Sequence, residues 1–170
     1  MKPRTRTFTP SFAQSRSLRW LAIALAAALL PVFAGAARAE TMSWTGMNYL
    51  VSSDPAAGTF VRRGVAKFAN GEVAVYVTEG RITGRDAKSM TYDVTLVYTF
   101  EDGSTLRQQG TGRNDVVAPG KVAQSGSGRL VEGTGRFAGI RGTTESTGRA
   151  LSEKEGVTEF KAEYTMPGKW

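Results

Sequence analysis

The chain has 170 residues, a formal net charge of +7, and neither His nor Cys. Those two absences exclude Ser-His-Asp and Cys-His hydrolases, disulfides, and thiolate or imidazole metal sites. The basic balance belongs to the first segment: six of the 22 Lys and Arg, and none of the 15 Asp and Glu, fall in residues 1–39. The remainder carries 16 against 15, so no electrostatic case for a nucleic-acid partner survives.

Met1 to Trp20 holds Lys2, Arg4, Arg6, Arg16 and Arg19 and no acid; Leu21 to Ala36 is an Ala/Leu-rich apolar run; Ala37-Arg38-Ala39 is a small-x-small triplet. Basic, apolar and small, in that order, predict a secretory signal peptide over 1–39, cleaved after Ala39. The run contains Pro31 and is short for a bilayer span, so no stable membrane anchor is expected after cleavage. The expected location is periplasmic or extracellular. Residues 40–170 then form one domain, long enough for a core without staples.

Strand signals follow at regular spacing: Ser43 to Val51, Thr59 to Phe68, Glu72 to Ile82, Ser89 to Phe100, Ser104 to Arg113, Val122 to Val131, Thr143 to Leu151 and Val157 to Met166. Asp54 to Gly58, Asn70-Gly71, Glu101-Asp102-Gly103, Pro119-Gly120 and Ser152 to Gly156 supply turns between them. Eight short strands with short connections and no helical period predict an all-β, eight-stranded antiparallel up-and-down barrel. Between the sixth and seventh strands lies Gly133-Thr134-Gly135-Arg136-Phe137-Ala138-Gly139-Ile140-Arg141-Gly142. Its glycines suit tightly shaped backbone, and Phe137 and Ile140 at a spacing of three suit one helical turn plugging a barrel end.

Turn lengths set the faces. With Asn70-Gly71 as a two-residue loop, Phe68 opposes Val73 and Arg62 opposes Glu79; with even pairing across the Thr83–Lys88 loop, Val77 opposes Val94 and Glu79 opposes Tyr92. With Glu101–Gly103 as a three-residue turn, Tyr98 meets Leu106, Leu96 meets Gln108 and Tyr92 meets Gly112. The expected interior is Phe60, Ala66, Phe68, Val73, Val75, Val77, Val94, Leu96, Tyr98, Phe100 and Leu106. Its polar end carries Arg62, Glu79 and Tyr92 beside Gly64, Gly110 and Gly112. An apolar lumen with a few convergent polar groups is the usual form of a small-ligand site. Expected ligand contacts are Phe60, Val77, Val94, Leu96, Tyr98, Gln108, Phe160 and Tyr164. Expected catalytic groups are Glu79 as acid or base, Arg62 orienting it and the Tyr92 hydroxyl beside it. Alternatively Arg62 and Glu79 are a cross-strand ion pair at a solvated rim. No metal and no cofactor is expected.

The run Glu132 to Gly142 resembles the Gly-Thr-Gly-x-Phe…Arg-Gly signature of dirigent proteins and the matching segment of allene oxide cyclases and their bacterial barrel relatives. The resemblance implies a calycin-type barrel with an apolar lumen open at one end, assembled as a homotrimer or homodimer. It also implies steering of cyclisation or coupling of reactive hydrophobic intermediates. Arg62, Glu79 and Tyr92 come from strand register, not from the resemblance. The readings that follow are an exported barrel binding a small hydrophobic molecule, a cofactor-free cyclase or isomerase, and a structural oligomeric barrel with a packed lumen.

Overall fold

The structure is a computed structural model that describes residues 39–167. The expected leader falls outside the described residues, apart from Ala39. Eight strands follow: β1 (Glu40–Asp54), β2 (Thr59–Phe68), β3 (Val73–Arg85), β4 (Ser89–Phe100), β5 (Thr105–Ala118), β6 (Lys121–Gly133), β7 (Arg141–Ala150) and β8 (Glu155–Thr165). Each pairs antiparallel with its sequence neighbours, and β1 pairs with β8, so the meander closes into a barrel in the order β1 to β8. Closure satisfies every strand edge, which a sheet of this length otherwise leaves exposed.

The hairpins divide the barrel into two ends. The β2–β3 and β4–β5 turns lie at one end with the β6–β7 connection; the other four hairpins form the opposite mouth. At the first end the glycine-rich segment makes the expected helical turn, a 3-10 helix over Gly135–Phe137. Gly135 and Gly139 hold positive φ angles of 57° and 78°, conformations a Cβ disfavours. The turn delivers Ile140 into the core at 0% exposure and packs Phe137 on Phe100 with ring centroids 4.8 Å apart. Arg136 lies over both rings, pairs with Glu72 and approaches Asp102 at 3.6 Å. These contacts tie the plug to the two hairpins beside it.

Below the plug the lumen is packed. Trp44 stacks on Phe68 and Phe160 at 5.2 and 5.1 Å, and Tyr98 meets Trp44 edge-on at 5.6 Å. Ala66, Ala74, Leu106, Leu130 and Ala162 fill the spaces between these rings.

Register differs from expectation in β2–β3 and also in β3–β4, where Val77 opposes Val97 and Glu79 opposes Thr95 instead of the expected Val94 and Tyr92. The β4–β5 pairing is as predicted, with Tyr98 opposite Leu106 and Tyr92 opposite Gly112. In β2–β3, however, Lys67 opposes Val73 and Arg62 opposes Thr78. The loop is three residues, Ala69 to Gly71, closed by a Phe68 N–H bond to the Glu72 carbonyl. A two-residue type I′ turn needs positive φ at both central residues, and only Gly71 adopts it. Asn70 instead uses its side chain: Oδ1 accepts from the Glu72 amide and Nδ2 donates to the Glu72 carboxylate. One residue of slip turns a strand over. Val73, Val75 and Val77 therefore face outward, and Ala74, Tyr76 and Thr78 face the lumen. The predicted interior positions elsewhere hold.

The flip gives the outer wall a row of apolar side chains in register, Met47–Val65–Val75, with Val77–Val97 beside it. Val75 is 59% exposed and Ala74 only 2%. Val75→Thr is accordingly expected to change unfolding free energy by less than about 0.5 kcal/mol. Ala74→Thr, which overfills the packed half, is expected to cost about 1–3 kcal/mol. Urea unfolding of the two variants checks this; a reversed order would restore the two-residue turn.

Candidate functional site

Moving toward the open mouth, the inner wall changes from large apolar residues to glycine and small polar ones. Gly46, Gly64, Gly110, Gly112, Gly126, Gly128 and Gly148 all lie on inward positions. Two of them decide where rings can lie. A Cβ at Gly46 would come within 2.7 Å of the Tyr76 hydroxyl, and one at Gly112 would run into the Tyr92 ring. Glycine there lets each tyrosine lie back against the wall, and the lumen between them stays open. The result is a cavity of about 350 Å³ confined to the mouth half.

Its apolar surface comes from Leu50, Phe60, Ile82, Met90, Val94, Leu96 and Phe160. Phe60 meets Tyr92 edge-on at 5.6 Å. Its polar surface comes from opposite walls. On β1–β3, Arg62 Nη1 donates to Asn48 Oδ1 at 2.9 Å and to the Lys154 carbonyl at 3.3 Å, and Asn48 Nδ2 donates to the Tyr76 hydroxyl at 3.2 Å. On β4–β5, the Tyr92 hydroxyl donates to Asn114 Oδ1 at 3.1 Å. On β6–β8, Thr158 donates to Gln124 at 3.4 Å, and Ser146 stands nearby.

A chain of buried hydrogen bonds underlies the cavity. Trp44 Nε1 donates to the Tyr98 hydroxyl at 3.1 Å, Tyr98 donates to Gln108 Oε1 at 3.4 Å, and Gln108 Nε2 donates to Thr144 at 2.8 Å. Each polar atom sealed between the packed half and the open half thus has a partner, as burial demands.

Burial sets the charge states. Desolvation lowers the Arg62 pKa, with the tyrosine oxygens of Tyr92 and Tyr76 opposing the shift. Desolvation raises the phenols of Tyr76 and Tyr92, and raises Tyr98 well above its ordinary 10.0. A group whose folded pKa is raised binds its proton longer in the native state than in the unfolded chain. Its stabilising contribution is complete below the unfolded value, about 10 for a phenol, and is lost above it. The barrel is therefore expected to lose thermal stability progressively above about pH 10. The 295 nm absorbance of the sealed Tyr98 phenol is expected to appear only with unfolding. Phenolate absorbance from all tyrosines at constant melting temperature would contradict this.

The structure gathers part of the predicted site. Arg62, Tyr92, Phe60, Val94, Leu96, Gln108 and Phe160 all line the cavity. Tyr98 faces inward but is sealed in the packed half. Tyr164 sits at the plugged end, where its hydroxyl donates to Glu40 at 2.8 Å. Val77 and Glu79 are on the outer face, Glu79 paired with Val61 and Thr95. The expected Arg62–Glu79–Tyr92 group does not assemble, and neither does the Arg62–Glu79 ion pair: the three-residue turn that flips β3 carries Glu79 out of the lumen. Asn48, Tyr76, Gln124, Ser146 and Thr158 also line the cavity, beyond the residues expected from the sequence. Two of these were legible, because Asn48 shares the parity of Trp44 and Thr158 that of Phe160.

No protein-family model matches the chain, and no curated protein matches it. Among solved structures, the chain is similar to a pterocarpan synthase dirigent protein, at 14% identity and a TM-score of 0.42, over 78% of this chain and 89% of that one. The strand pairing itself shows the closed eight-stranded barrel.

Proposed function

We propose that the protein is an exported barrel that binds a small, mainly apolar molecule in the mouth half of its lumen. The observation that supports this most is the division of the interior. One half is filled by stacked rings, whereas the other keeps about 350 Å³ of space behind inward glycines. That volume lies at the small end of the range for ligand pockets, ~300–1,000 Å³, and its mix of apolar wall and a few polar groups is what such pockets have. Export is supported by the basic, apolar, small-x-small order of residues 1–39.

Binding without turnover is preferred over cyclisation. An acid–base role in the lumen was expected of Glu79, and Glu79 faces outward. Asp54 and Glu153, which border the mouth, are exposed. Asp54 is also occupied in accepting from the Ala56 and Ala57 amides.

Native mass spectrometry of the protein isolated from its own host tests the reading. A chain beginning at Glu40 and carrying a small-molecule adduct that organic extraction removes is the expected result. An uncleaved chain would remove the export proposal. A bare mass that no lipid-like or aromatic compound shifts would remove the binding proposal.

A further inference from the structure

We propose that the lumen ligand is an organic monoanion, a compact aromatic or alicyclic carboxylate, whose acid group rests on Arg62 and the Tyr76 hydroxyl. The inference rests on the binding reading above and adds the chemical class of the ligand.

Arg62 is inside the barrel wall, and no carboxylate lies within 4.0 Å of it among the described residues. Arg62 is half-buried, and burial of its charge is partial. Its guanidinium is held by neutral oxygens alone, Asn48 Oδ1 and the Lys154 carbonyl. Both bonds use Nη1, so the Nη2 and Nε donors have no acceptor among the described residues. Asn48 orients the pair: its oxygen takes the guanidinium and its amide donates to Tyr76, which leaves the Tyr76 proton to donate elsewhere. Guanidinium and phenol thus present N–H and O–H donors at one wall of the cavity. A planar guanidinium edge matches the two oxygens of a carboxylate. The same cavity is lined by Phe60, Val94, Leu96 and Phe160, which suit the ring system of such an acid. Arg85 also borders the mouth, where Nη2 contacts the Met90 sulfur at 3.3 Å. Arg85 shares this rim with the exposed Asp54 and Glu153, so the cation that distinguishes the lumen is Arg62.

The probes are 2-naphthoate and its uncharged isostere 2-naphthamide, titrated into the full mature protein by calorimetry. The wild type is expected to bind the acid at least ~10-fold more tightly than the amide, each tenfold corresponding to about 1.4 kcal/mol. Arg62→Gln is expected to bring the two to equal affinity without losing the amide, and Arg62→Lys to keep part of the preference. If acid and amide bind the wild type equally, the anion assignment is overturned and the lumen reading stands. If neither binds but neutral compounds of other shapes do, the anion assignment is likewise overturned. If no compound of either kind binds, the lumen reading falls and this one with it. A preference that survives Arg62→Gln in a folded variant, judged by its near-ultraviolet dichroism, overturns the role of Arg62.

Discussion

Ile140→Ala is expected to cost about 2–5 kcal/mol of unfolding free energy, while leaving ligand binding at the mouth unchanged. Ile140 is the fully buried member of the plug, carried inward by the positive-φ Gly139 before it and fixed by its amide bond to the Phe137 carbonyl. Its neighbours belong to closed strands and to a turn clamped by Arg136, so they cannot collapse into the space an alanine leaves. Partial relaxation of that kind is what makes a truncation expensive. Phe137→Ala is expected to cost less, because Phe137 is only partly buried and Arg136 covers its outer face. Urea denaturation of both variants checks the order through the midpoint, at unchanged slope. A larger loss for Phe137→Ala would mean that the turn seats a different side chain from the one described.

Ser146→Phe is expected to abolish binding in the lumen, weakening a ligand such as 2-naphthoate on the order of 100-fold, about 2.7 kcal/mol. Ser146 faces inward on β7, opposite Gly126 on one side and Phe160 on the other. It belongs to the small-residue wall that leaves the mouth half empty. A phenyl group there enters space that is vacant, so the stability change is expected to stay within about 1 kcal/mol. The same substitution in a filled lumen would overpack it and cost about 1–3 kcal/mol. The pair of readouts therefore separates an open lumen from a packed one: binding lost with stability kept supports the cavity. Stability lost would mean that the mouth half is as full as the plugged half.

Much of this fold was readable before any coordinates. Eight strands, their order, the turn at Gly135–Phe137 and its inward isoleucine follow from alternation, turn residues and glycine spacing. The β4–β5 register followed too, because Gly103, with φ 77°, admits a single reading of its three-residue turn. The β2–β3 and β3–β4 registers did not. Asn70-Gly71 is compatible with two loop lengths, and the choice is made by the Asn70 side chain bonding to Glu72. Nor could hydrophobic alternation arbitrate, since Val73 to Val77 is apolar on both faces of β3. The valines expected in the core form the outer wall, and Ala74, Tyr76 and Thr78 form the inner surface. The candidate site inherited that slip. Arg62 and Tyr92 were found because their strands were in register, and Glu79 was misplaced because its strand was not. The bulge between Leu50 and Ser52 and the one between Ile82 and Gly84 shape the cavity rim, and neither carries a sequence mark that precedes the structure.

A crystal of the protein soaked with 6-bromo-2-naphthoate tests the central claim most directly, because bromine marks its own position by anomalous scattering. The predicted result is one bromine peak inside the mouth half of the barrel, against Phe60, Val94 and Phe160, with the carboxylate at Arg62. A peak confined to the outer wall beside Val65 and Val75, or a saturated crystal with an empty lumen, would contradict it.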